Sequence, residues 1–119
     1  MYGLDLGFDT SRLVGCTLEQ VSFSENTVHL SFSRDVSITI EGCYSHSMRG
    51  NPRDAERTCL PVRESRLMQL LGESIETAHA SPEGTLSLRF TNGQSLACFD
   101  DTPQYEAYRL KLGEEEIIV

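Results

Sequence analysis

The sequence predicts a mainly β fold, α+β only at the margin. Two repeated antiparallel β-hairpin units and a C-terminal hairpin form a sandwich or open barrel, with one short helix near 62–71. Three observations carry this. Apolar residues alternate with polar ones at Val28, Leu30 and Phe32, at Val36, Ile38 and Ile40, and at Leu86, Leu88 and Phe90. Such a period of two marks strands with one packed and one wetted face, as in antiparallel sheet. An Asn92-Gly93 dipeptide follows Phe90, and both residues accept positive φ, a strong hairpin signal. Finally, the first hairpin recurs later in the chain.

The recurrence is one of pattern, with several identical residues. Leu13-Val14-Gly15-Cys16-Thr17-Leu18-Glu19 returns as Leu70-Leu71-Gly72-Glu73-Ser74-Ile75-Glu76. Thr27-Val28-His29-Leu30-Ser31-Phe32 returns as Thr85-Leu86-Ser87-Leu88-Arg89-Phe90, after one inserted residue. We expect an internal repeat of 13–42 and 70–100 within a single domain, 1–119. Two copies suit a pseudo-twofold domain, because a solenoid needs three or more.

Within each copy the elements follow from local chemistry. Thr10 can cap a helical turn at Ser11–Val14, which Gly15 ends in the left-handed conformation. In the second copy Pro61 suits a first helical turn, and Leu67, Leu70 and Leu71 at i, i+3 and i+4 predict the helix that Gly72 ends. A strand comes next, over Thr17–Ser24 and again over Ser74–Ala80. Leu18 is out of step with Val21 and Phe23, so a β-bulge is expected between them. Residues 43–61, with Gly50-Asn51-Pro52 and many charges, read as a mobile loop outside the repeat. The tail reads as a strand at Tyr105–Leu112, a turn at Gly113, and a last strand at Glu115–Val119, paired or buried because it ends Ile117-Ile118-Val119.

Composition narrows the function classes. The formal net charge is −8. Acidic surfaces repel phosphate, which disfavours nucleic acid and anionic membrane as partners. The charge suits solubility first, and a basic protein partner second. The first nine residues lack the basic start and apolar core of a secretion signal, and no apolar run reaches the ~20 residues of a membrane span. The four cysteines, Cys16, Cys43, Cys59 and Cys98, form no C-x-x-C pair. They are expected as free thiols in a cytoplasmic protein, with Cys98 facing inward.

The Leu-x-Phe-x-Asn-Gly hairpin at 88–93, Asp100-Asp101 and Tyr105-Glu106-Ala107-Tyr108 together resemble a broad group of small acidic bacterial proteins of unknown function. The half from Leu13-Val14-Gly15 to Glu41-Gly42 looks like their N-terminal half. The resemblance covers most of the chain outside 43–61 and implies no activity and no catalytic residues. Some proteins of this look are similar to immunity partners of bacterial toxins, an analogy of fold only.

The chemistry-bearing residues point more to binding than to catalysis. Cys43-x-x-His46 has a spacing two metal ligands could use, but Cys59, His29 and His79 are not placed at close spacing to complete a site. Cys59 with His46 could be a nucleophile and base, yet nothing local positions either. There is no Gly-x-Ser-x-Gly elbow and no phosphate loop. No catalytic residue, metal or cofactor is therefore assigned. Asp100, Asp101 and Glu106 favour turn chemistry over calcium binding or acid–base work. With Tyr105 and Tyr108, which lie three apart so that one faces the core, they form the expected protein-binding surface. Three function classes follow: a non-enzymatic immunity- or adaptor-type module, a small-molecule-binding protein or enzyme with a pocket between the sheet and the 43–61 loop, and a homo-oligomer, such as a homodimer, assembling through an edge strand.

Overall fold

A computed structural model describes residues 9–49, 55–100 and 107–119. The strands are β1 (Leu18–Phe23), β2 (Val28–Phe32), β3 (Val36–Ile40), β4 (Cys43–Ser47), β5 (Glu56–Cys59), β6 (Ile75–Ala80), β7 (Leu86–Phe90), β8 (Ser95–Cys98), β9 (Tyr108–Leu112) and β10 (Glu115–Ile118). They form two five-stranded sheets, ordered β1-β2-β3-β9-β10 and β5-β4-β8-β7-β6. All pairings are antiparallel. The mainly β expectation holds, as an open two-sheet arrangement.

The alternating residues build the interior. Val28, Leu30, Phe32, Val36, Ile38 and Ile40 of one sheet are buried, as are Leu86, Leu88, Phe90, Leu96 and Cys98 of the other. Phe32 and Phe90 stack between the sheets, with ring centroids 6.4 Å apart and planes 16° from parallel. Such a pair adds about 1 kcal/mol beyond the area it buries.

The stretches 13–42 and 70–100 run in matching register. Leu18 pairs with Phe32 and Ile75 with Phe90. Each register slips at the next step, between Leu18 and Gln20 and between Ile75 and Thr77, so the expected bulge is present in both. Where the sheets meet, the bonds are reciprocal. Gly15 N–H donates to Ile75 O and Gly72 N–H to Leu18 O, both at 2.8 Å. The hydroxyls of Thr17 and Ser74 meet at 2.8 Å between these bonds.

The chain then crosses over. After β3 it leaves its own sheet, and β4 pairs with β8 of the other. After β8 it returns, and β9 pairs with β3. Each three-stranded meander is thus completed by the hairpin that follows the other one. This corrects the reading of 43–61 as a loop: residues 43–47 and 56–59 are strands, and β4–β5 takes the place beside β8 that β9–β10 takes beside β3. Residues 50–54 lie outside the described residues.

Three further expectations change. The helix near 62–71 is a single 3-10 turn at Leu67–Leu70. A 3-10 turn has three residues per turn, so Leu67 and Leu70 both point inward and are buried, while Leu71 is left 44% exposed. The first short turn, Thr10–Arg12, is also 3-10 and is capped by Asp9, not Thr10. Cys43 and Cys59 are not free thiols: they stand opposite each other on β4 and β5 and form a disulfide. The free-thiol premise of the cytoplasmic expectation therefore fails for these two. Cys16 and Cys98 are free and buried. Burial pushes the Cys98 thiol up to about 12, so it behaves as an apolar core group.

The hairpin turns differ in one respect. In β7–β8 only Gly93 takes positive φ, at 87°. In β2–β3 the left-handed residues are Arg34 and Asp35, at 63° and 59°. Gly93 holds the place of Asp35. Replacing Asp35 with glycine should therefore raise stability by about 0.5–1 kcal/mol, read as a higher urea midpoint. A lower midpoint would show that the aspartate side chain, not its backbone strain, dominates there.

Candidate functional site

The site grows from the inner face of β4. Tyr44 pairs with Cys98 and His46 with Leu96 on β8, so all four side chains share the face turned to the other sheet. On the opposite side of β4, Tyr44 pairs with Thr58 and His46 with Glu56 of β5. Residues 64–66 form the facing wall. Tyr44 O–H donates to Ser65 Oγ at 3.3 Å, and Leu67 N–H donates to the same oxygen at 3.1 Å. The concavity between them is open to solvent, has a volume of about 650 Å³ and is lined by Tyr44, His46, Met48, Arg49, Glu56, Thr58, Glu64, Ser65 and Arg66.

A chain of polar side chains underlies it. His46 Nε2 lies 2.7 Å from Gln94 Oε1, and Gln94 Nε2 donates to Gln69 Oε1 at 3.1 Å. Asn92 of the turn accepts from Gln94 N–H at 3.0 Å and donates to Gln69 O, fixing the strand end that carries Gln94. His46 and Gln94 are each only 8% exposed. The other sheet shows what these positions otherwise hold. Leu110 pairs with Ile38 there as His46 pairs with Leu96 here, and Val36 stands across from Phe32 as Gln94 stands across from Phe90.

Burial holds the His46 imidazole below its ordinary value of 6.5; the Gln94 bond and Glu56 oppose this, and Arg66 adds to it. The ring is uncharged at neutral pH. The unfolded chain titrates near 6.5, so between there and the folded value the unfolded state binds more protons, and stability falls as pH falls. Above that window His46 contributes no slope. Replacing His46 with leucine should flatten this stretch of the urea-midpoint-against-pH curve; an unchanged slope would assign it to other groups.

The residues expected at a partner surface are placed differently. Asp101, Tyr105 and Glu106 lie outside the described residues. Asp100 and Tyr108 are buried, at 8% and 0% exposure, so their side chains do not form a docking face. Tyr108 pairs with Ile40 as Tyr44 pairs with Cys98, which puts it on the core side of β9. Its hydroxyl donates to Gly84 O at 2.6 Å. Burial, and then Cys98 and Asp100, raise its pKa. The imagined ligand and nucleophile roles of Cys43 and Cys59 end with their disulfide. Among the described residues no group of three or more His, Cys, Asp or Glu is placed to hold a metal, and no helix is long and apolar enough to cross a membrane. Sequence reasoning noticed His46 but not its partner, since Gln94 is 48 residues away; Tyr44 and Ser65 carried no local signal.

A family model described as a family of unknown function, DUF6188, matches residues 9–119. The chain belongs to this family. The match runs through 43–61 as well, so β4 and β5 are part of what the family model describes. No curated protein and no solved structure matches the chain.

Proposed function

We propose that this chain is a non-enzymatic binding module, and that it holds a small polar ligand in the concavity between β4–β5 and residues 64–66. The observation that carries the reading is the buried His46–Gln94 pair. The other sheet fills the matching positions with Leu110 and Val36, which need no hydrogen-bond partners. A polar pair gives up that apolar packing and has to be satisfied by its own bonds. Placed under a concavity, it supplies the few oriented polar groups that a binding site requires.

Screening a library of polar metabolites by thermal shift tests this. Ligands should raise the melting temperature of the natural chain and not that of a His46→Leu/Gln94→Val variant. A library in which every hit stabilises both proteins equally would end the proposal. The net charge of −8 supports a second reading, a basic protein partner held by the acidic surface. It expects co-purification that weakens with salt, and bait that recovers no basic partner would remove it.

A further inference from the structure

We infer that the chemical group recognised in this concavity is an uncharged amide, an inference that rests on reading the concavity as a binding site. The argument follows the protons. Gln94 turns its oxygen to His46, because its nitrogen is donating to Gln69 Oε1. His46 Nε2 must therefore carry the ring proton, and Nδ1 keeps a lone pair. The ring lines the concavity with that nitrogen as its remaining hydrogen-bonding group. Ser65 is in the opposite condition. Its oxygen accepts from both Tyr44 O–H and Leu67 N–H, which occupies both lone pairs. What Ser65 has left to offer is its own proton.

One wall thus accepts and the other donates. An amide satisfies both, its N–H giving to His46 and its C=O receiving from Ser65. A carboxylate has no proton for Nδ1. An ammonium has no lone pair for Ser65. Either ion would leave one of these two protein groups unpaired, which is how polar sites reject the wrong ligand. The charged residues around the concavity do not favour an ion of either sign, because Arg49 and Arg66 are balanced by Glu56 and Glu64.

Three small probes with the same ethyl tail, propionamide, propionate and propylammonium, test the inference when titrated into the full chain. The readout is the NMR signals of the His46 ring and of Tyr44 and Ser65. Propionamide should shift all three saturably, with an affinity about tenfold above either ion, the worth of one hydrogen bond. His46→Leu and Ser65→Ala should each remove most of that preference. Free glutamine and an N-acetylated glutaminyl-alanine then separate a free amide from one carried on a peptide. Tighter binding of propionate or propylammonium would overturn the amide while leaving the binding site standing. Silence of all three probes at these residues would also overturn it, and the metabolite library would decide the site on its own.

Discussion

Replacing Gly84 with alanine is expected to lower folding stability by about 3 kcal/mol, the sum of three effects at one turn. Gly84 lies between β6 and β7 with φ of 91°, a conformation that costs an L residue about 1–2 kcal/mol. An added Cβ would stand 2.5 Å from Asp100 Oδ2 and 2.9 Å from Asp100 Cβ, closer than real contacts allow. Asp100 is buried, so it cannot simply swing into solvent. The turn must move instead, and its movement draws Gly84 O away from the Tyr108 hydroxyl. A buried hydroxyl left without its acceptor costs about 1–3 kcal/mol more. Gly93 supplies the control. Its φ is 87°, yet a Cβ there meets nothing within 4 Å. Gly93→Ala should therefore cost only the backbone part, about 1 kcal/mol. Urea unfolding of both variants measures the difference. Equal losses would mean that Asp100 and Tyr108 do not clamp the turn.

The fold was legible wherever the information is local, and lost wherever it is not. Val28 to Ile40 and Leu86 to Phe90 announce their strands by alternation, because each inward position is aliphatic or aromatic. The slip after Leu18 announces its bulge for the same reason. β4 makes no such announcement. Its inward positions are Tyr44 and His46, and its strand form depends on β8, which arrives much later in the chain. Glu56 to Cys59 holds only polar residues and a cysteine, and is ordered by β4 and the disulfide. The helix near 62–71 failed on a finer point. Spacings of i and i+3 serve 3-10 and α geometry equally, and only the exposure of Leu71 separates them.

The candidate site was hidden by the same non-locality. Asp100 and Tyr108 count toward the expected surface because acid and tyrosine usually lie there, and the spacing of Tyr105 and Tyr108 puts one of them inward without saying which. Tyr108 faces inward because its register against Ile40 leaves it no other face. His46 had nothing local to position it because its strand was unseen. The crossover matters here too. It gives each sheet a hairpin from the other half of the chain, so the two ends of the molecule carry different sequences on the same scaffold. β9–β10 closes its end with Leu110, Leu112 and Val119, all buried. β4–β5 brings Tyr44, His46 and Thr58 instead, and that end stays concave.

That comparison fixes the second large effect. Gln94→Val alone should destabilise the chain by about 2 kcal/mol, because it leaves His46 Nε2–H buried without an acceptor. Gln69 loses a donor as well, but it is exposed and water replaces it. Adding His46→Leu should then restore most of the loss. The double variant carries leucine and valine where the other sheet carries Leu110 and Val36, and removing both partners of a buried polar bond is close to neutral. The coupling between the two changes should come to about 1–2 kcal/mol in a double-mutant cycle read by urea unfolding. Additive losses would mean that the pair is not a unit and that the concavity is held by other contacts. Recovery of stability together with loss of every ligand-induced thermal shift would assign His46 and Gln94 to binding, since a pair kept only for folding would have no ligand effect to lose.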